Sequence, residues 1–210
     1  MPGRRRQKRT DASKIDATPP WETRHRDEPV ATTGPFDARD APEDEIPRVD
    51  LGALQIPVSD AFDVQVNLDG QVVIAATLTN ADGGMQLGVF AAPRNEGIWD
   101  EVRDEIAKSL KEDVKASSII EKDGPFGTEL HAMASDGPGR KVPVRFVGID
   151  GPRWFVRAQF SGPVAAQDGK AAAFEEALRG VVVVRGSEPL PVREPVPLQL
   201  PEGVELPGSE

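Results

Sequence analysis

KVPVRFVGIDGPRWFVRAQFSGP, residues Lys141 to Pro163, reads as two β-strands joined by a turn. Steps of two place Val142, Val144 and Phe146 on one face of the first strand. They place Trp154, Val156, Ala158 and Phe160 on one face of the second, with Phe155, Arg157 and Gln159 opposite. Such alternation marks half-buried strands, because successive side chains point to opposite sides of a sheet. Asp150-Gly151-Pro152 supplies turn chemistry between them: Asp bonds nearby backbone, Gly accepts positive φ and Pro fixes φ. Matching the two apolar faces requires a loop with an odd number of residues. A three-residue loop pairs Phe146 with Val156 and sets Arg145 against Arg157, a like-charge pair that destabilises when directly opposed. A five-residue loop moves Arg145 opposite Gln159. In either register Arg145 and Arg157 share the face turned away from the core.

The chain has 210 residues, enough for one ordinary domain with tails. Its hydrophobic content of 38% is low for a wholly globular chain, and its 20 prolines are roughly double the usual ~5%. Both point to a compact domain with unstructured ends. The net charge of −10 favours solubility and argues against the whole surface binding nucleic acid. Cysteine is absent, which excludes disulfides, thiol catalysis and Cys-based zinc sites. No run of about 18 apolar residues occurs, so no spanning helix is expected. The basic N-terminus leads into TDASKIDATPP rather than an apolar segment, unlike a secretory leader. A cytoplasmic protein without membrane attachment is the expectation.

Residues 1–45 combine charge and proline with almost no aliphatic content, a composition that cannot offset chain entropy. They are expected to be a disordered charged tail. Arg4, Arg5, Arg6, Lys8 and Arg9 form a basic cluster. It reads either as a solvated tail or as an arm binding nucleic acid through phosphates. Glu43, Asp44 and Glu45 could fold back on it, and Trp21 is either a docking motif or a stray aromatic. From Ile46 the texture becomes that of strands. Phe62, Val64, Val66 and Leu68 alternate, Asp69-Gly70 signals a hairpin, and Asp82-Gly83-Gly84 a second turn. Ile98, Val102, Ile106 and Leu110 recur every four residues, one face of an amphipathic helix whose other face is charged. Strands follow near Ser118–Glu121 and Thr128–Met133. Asp168 can cap a second helix that stops at Gly180 and buries Phe174, Ala177 and Leu178. Val181 to Val184 reads as a short buried strand. Residues 188–210 hold six prolines and are expected to be an extended tail.

The order β-β-β-α-β-β-β-α-β predicts an α+β domain over residues 46–187, a single antiparallel sheet with two main helices packed on it. That order resembles the layout of the Mog1/PsbP-like fold, a likeness that assigns no function. Chemical motifs are sparse. Neither a G-x-S-x-G elbow nor a phosphate-binding glycine loop occurs, and no cofactor or ligand-spaced metal cluster is implied. Glu129 and His131 lie two apart on one strand face and could couple as general base and orienter, although no nucleophile stands beside them. Arg145 and Arg157, with Arg153 near the turn, could form a fork for a carboxylate or phosphate, unless neighbouring carboxylates neutralise them.

RFVGIDGPRWFVRAQFSGP, preceded by DGPFGTELHA, resembles an uncharacterised actinobacterial family, domain-of-unknown-function family 3710, over roughly residues 46–187. The basic GRRRQKR start is also similar to that family. The resemblance implies a cytoplasmic protein of high-GC Gram-positive bacteria and no established catalytic residues. The leading functional expectation is a non-enzymatic module that binds a protein partner. A nucleic-acid-associated protein using Arg4 to Arg9 is the alternative, and an enzyme using Glu129 and His131 the third.

Overall fold

The computed structural model describes residues 33–137 and 139–201. In chain order these form β1 (Phe36–Asp37), β2 (Arg48–Asp50), β3 (Leu54–Pro57), β4 (Asp63–Asp69), β5 (Val72–Asn80) and β6 (Gly83–Ala91). Then come α1 (Trp99–Glu112), β7 (Ser117–Gly124), β8 (Gly127–Ser135), β9 (Lys141–Gly151), β10 (Trp154–Ser161), α2 (Asp168–Arg179) and β11 (Val182–Val183). The α+β class and its two helices agree with the sequence reading. The single sheet does not: there are two. A seven-stranded antiparallel sheet runs β4-β5-β6-β10-β9-β8-β7, and a four-stranded one runs β1-β11-β3-β2. The small sheet escapes local patterning because its strands have two to four residues. Its parallel β1–β11 pair also joins Phe36 to Val182 across most of the chain.

The β9–β10 hairpin corrects the expected register. Its loop has two residues, Pro152 and Arg153, since Gly151 already pairs with Trp154. Arg153 has φ 67°, so Pro at the first loop position and positive φ at the second follow the type II pattern. Phe160 faces Arg145, and Arg157 faces Gly148. One face therefore carries Arg145, Val147 and Ile149 with Trp154, Val156, Ala158 and Phe160. The other carries Phe146, Gly148 and Asp150 with Phe155, Arg157 and Gln159. Arg145 and Arg157 thus stand on opposite faces rather than sharing one. The parity argument fails because it assumes one buried face, whereas both are packed here. Trp154, Val156 and Phe160 join the larger core. Val144, Phe146 and Phe155 join a second one.

Each face is covered over only half its width, and the covered halves are diagonal to one another. On one side α1 lays Ile98, Trp99 and Leu110 on Leu130, Ala132, Val144, Phe146 and Phe155. The helix start, predicted from periodicity alone, is capped from a distance. Asp150 accepts hydrogen bonds from the backbone N–H of Ile98 (2.8 Å) and Trp99 (3.3 Å), although its sequence context suggested a turn role. On the other side α2 and the small sheet cover the β4-β5-β6-β10 half. Phe174 stacks on Phe62 with centroids 5.5 Å apart, and Ala171, Ala177 and Leu178 are buried with it. Gly180 ends α2 as expected, whereas the N-cap is Gln167 and Asp168 is the first helical residue, without a capping bond. The half that α1 leaves open is polar: Thr77 bonds Asn67, and Gln65 lies beside Thr79.

The folded unit extends beyond residues 46–187 at both ends. Phe36 N–H donates to the Val181 carbonyl, and Trp154 Nε1 donates to Asp37 Oδ2 at 3.0 Å. At the other end the proline-rich segment lies along the domain instead of leaving it as a tail. β5 pairs with β6 only from Asn80 to Ala76, opposite Gly83 to Leu87, and then follows β4. Residues 193–199, the C-terminal strap, occupy the gap this opens. They exchange backbone bonds with Ala91, Val89, Val73 and Leu51 and bury Val196 and Leu198.

Gly148 makes the α1 contact possible. A Cβ there would stand 2.2 Å from the Trp99 ring, which stacks on Phe155 and donates its indole N–H to the Thr128 carbonyl at 2.7 Å. Gly148→Ala is expected to force α1 off the sheet at a cost of about 1–3 kcal/mol. Thermal unfolding checks this, and an unchanged midpoint would show that the helix shifts freely.

Candidate site: an open groove over a buried arginine–glutamate network

The half-face uncovered on the α2 side is a groove of about 570 Å³. Register builds its floor. Lys122 faces Glu129, Ile120 faces His131 and His131 faces Arg145, so these residues of β7, β8 and β9 share one face, with Met133 and Pro143 beside them. The walls are the Asp123–Pro125 turn on one side and Ala165, Ala166, Asp168 and Glu175 on the other.

Beneath that floor lies a charge network. Arg145 is 3% exposed and Glu129 2%. Arg145 donates through Nε to Glu129 Oε2 (2.6 Å) and through Nη2 to Oε1 (2.8 Å), a bidentate pair. Its Nη1 donates to Glu175 Oε1 at 2.6 Å, fastening α2 to β9. The guanidinium also lies 4.7 Å from the Phe160 ring centroid. His131 Nε2 stands 3.3 Å from Glu129 Oε2. Burial pushes the Glu129 carboxyl up, but the hydrogen bonds from His131 and Arg145 outweigh it and hold the group below the ordinary carboxylate range. Burial likewise opposes the charge on Arg145, and bonds to Glu129 and Glu175 more than compensate. Both groups are therefore held charged.

These distances settle what becomes of the residues singled out by sequence. Glu129 and His131 are brought together, and the neutralising carboxylates of Arg145 are Glu129 and Glu175. The arginine fork is not assembled. Arg145 is paired and buried, while Arg157 lies on the opposite face with its guanidinium over Phe90, 5.1 Å from the ring centroid. Arg153 sits in the turn, where its carbonyl accepts from Ala92 N–H and Arg185 Nε. Arg4, Arg5, Arg6, Lys8, Arg9 and Trp21 lie outside the described residues. Sequence reasoning missed Glu175, which sits on a helix face indistinguishable by pattern from a solvated one. The spacing Glu175–Arg179 was the one available hint, and it forms a 3.8 Å contact. Among the described residues no group of three or more His, Asp or Glu could hold a metal ion, and no helix is long and apolar enough to cross a membrane.

Parts of the chain resemble several solved structures, three of which follow. The solution structure of cyanobacterial PsbP (CyanoP) from Synechocystis sp. PCC 6803 has a TM-score of 0.41 and 9% identity, covering 66% of this chain and 92% of that one. A crystal structure from Bacteroides thetaiotaomicron VPI-5482 has a TM-score of 0.35 and 17% identity, covering 66% and 48%. LpqN of Mycobacterium tuberculosis, described as involved in cell envelope biogenesis, has a TM-score of 0.33 and 11% identity, covering 72% and 99%. No match was found among the curated proteins. The family model described as "Protein of unknown function (DUF3710)" matches residues 34–206, which includes β1, the groove and the C-terminal strap, and the chain belongs to that family.

Proposed function

We propose that this protein is a binding module whose groove takes an extended segment of a protein partner. The observation that carries the reading is the groove's outer border. β7 is an edge strand of the large sheet, paired among the described residues with β8 alone, and it presents Ile120, 46% exposed, next to Lys122 on the groove floor. A segment pairing with that edge gains main-chain hydrogen bonds and sets alternate side chains over the groove. Asp123, Asp168 and Glu175 along the walls favour a segment with a basic side chain. The network supports binding over acid–base chemistry. Both Glu129 oxygens accept from Arg145, and a carboxyl held below its ordinary range is a weak proton acceptor.

A photo-crosslinking side chain placed at Lys122 is expected to capture a protein partner in cells, whereas one at Gln65, on the open polar half-face, captures none. Equal capture at both positions, or none at either, would overturn the assignment of the groove.

A further inference from the structure

On the opposite side of the sheet, between α1 and the C-terminal strap, Phe90, Ile98, Val102 and Phe155 wall a pocket of about 160 Å³ with Arg157 in its lining. Two glycines shape it. Arg157 is paired across the sheet with Gly88 on β6 and Gly148 on β9, so no neighbouring side chain stands directly beside it on this face. The space over Gly148 is filled by Trp99, and that near Gly88 by Phe90. The guanidinium is thus left against aromatic carbon.

Arg157 has no carboxylate or hydrogen-bond partner among the described residues, unlike Arg145 on the other face. Glu105, the one carboxylate lining the pocket, is engaged by Arg193 of the strap at 2.6 Å, and Arg193 also binds Glu101. Its half-buried setting penalises the charge on Arg157. None of its nitrogens is sealed off from solvent without a partner. An unpaired guanidinium in an apolar hollow costs free energy that a matching anion recovers.

We propose that this pocket binds a small carboxylic acid with an apolar body, its carboxylate on the Arg157 guanidinium and its carbons against Ile98, Val102 and Phe155. The lining sets this class. One unpaired cation, Arg193 being engaged by Glu101 and Glu105, asks for one anionic group, and the apolar walls ask for carbon rather than for a multiply charged or hydroxylated molecule. The strap closes one side, so the pocket belongs to the full chain and is independent of the groove.

The test is titration of full-length protein with hexanoate, followed by methyl NMR of Ile98 and Val102. Saturable shifts at both methyls are expected, with at least tenfold weaker binding for Arg157→Gln and little change for Glu129→Gln. 1-Hexanol, which lacks the charge, should bind at least tenfold more weakly than hexanoate. Should Arg157→Gln unfold, Val102→Trp, which fills the pocket from α1, provides the second variant and should abolish the Ile98 shift. Absence of shifts with millimolar hexanoate, or equal affinity in Arg157→Gln, would overturn the proposal. So would inorganic phosphate binding as tightly as hexanoate, which indicates a bare anion site. An apolar tripeptide with a free carboxylate binding more tightly than hexanoate would also overturn it, in favour of a protein C-terminus.

Discussion

Arg145→Met is expected to lower stability by about 3–5 kcal/mol, because it leaves Glu129 buried without its cation. Glu129 is 2% exposed and has both oxygens on Arg145, so the variant leaves a buried carboxylate without its bidentate donor. Glu175 suffers less, since it is partly exposed and retains Arg179 at 3.8 Å. A domain of this size loses roughly 2–4 °C per kcal/mol, so the midpoint should fall by about 6–20 °C. The double variant Glu129→Leu/Arg145→Met should regain roughly half the loss, because apolar replacement of a buried ion pair removes the unpaired charge. Equal stability of the single and double variants would show that the network contributes only packing.

The same network sets a pH dependence with a definite sign. The Glu129 carboxyl is held below its unfolded value, so the unfolded state takes up the proton first as pH falls. The stabilisation from Glu129 is fully present above the ordinary glutamate value of about 4.3. It is lost as pH drops from there through the lower folded value. In Arg145→Met one of the two partners that keep the carboxyl ionised is gone, His131 being the other, and burial weighs more heavily toward the neutral form. Acid should therefore destabilise the variant less than the wild type, and unfolding midpoints taken between neutral and acidic pH measure the difference.

Deleting residues 188–210 is expected to lower stability and to promote aggregation, although the stretch reads as a proline-rich tail. Val196 and Leu198 are each 5% exposed, and burying an aliphatic side chain contributes about 1.5–3 kcal/mol. The strap also supplies hydrogen bonds to Ala91, Val89, Val73 and Leu51, each with a net worth of about 0.5–1.5 kcal/mol. Opposing this, ordering the segment costs about 1–2 kcal/mol per residue, an amount comparable to these gains, so the loss on deletion is read mainly in the surface it uncovers. Removal leaves the β6 edge beyond Leu87 open, with Val89 and Val73 uncovered. Such an edge is a template for association with another chain. Urea unfolding of residues 1–187 against the full chain reads the loss, and Leu198→Asp should reproduce about half of it without shortening the chain. Superimposable curves would show that the strap is dispensable.

Proline content misleads here for a physical reason. A proline-rich segment is a poor central strand, but it serves well as an irregular edge, where only some residues must donate. Arg193, Val196, Leu198 and Gln199 donate N–H groups, while Pro195 and Pro197 fall between them. Composition records the lack of a regular ladder and cannot record a gap waiting between two other strands.

What the sequence alone determined is local. The α1 stripe Ile98, Val102, Ile106, Leu110, the buried side of α2 at Phe174, Ala177 and Leu178, and the existence of the β9–β10 hairpin all follow from periodicity, since a segment's own pattern reports which of its residues leave water. The α+β class follows from the order of those segments. Only the tertiary structure decided the register of the hairpin, and with it the fate of the two arginines. Parity is readable when one face is wet. When α1 covers one face and α2 the other, Phe146 and Phe155 become as buried as Trp154 and Phe160, and the alternation no longer says which set belongs together. An odd-numbered shift in register then carried Arg145 into a buried pair with Glu129 and left Arg157 unpaired in an apolar pocket, because such a shift exchanges the faces of every side chain on a strand.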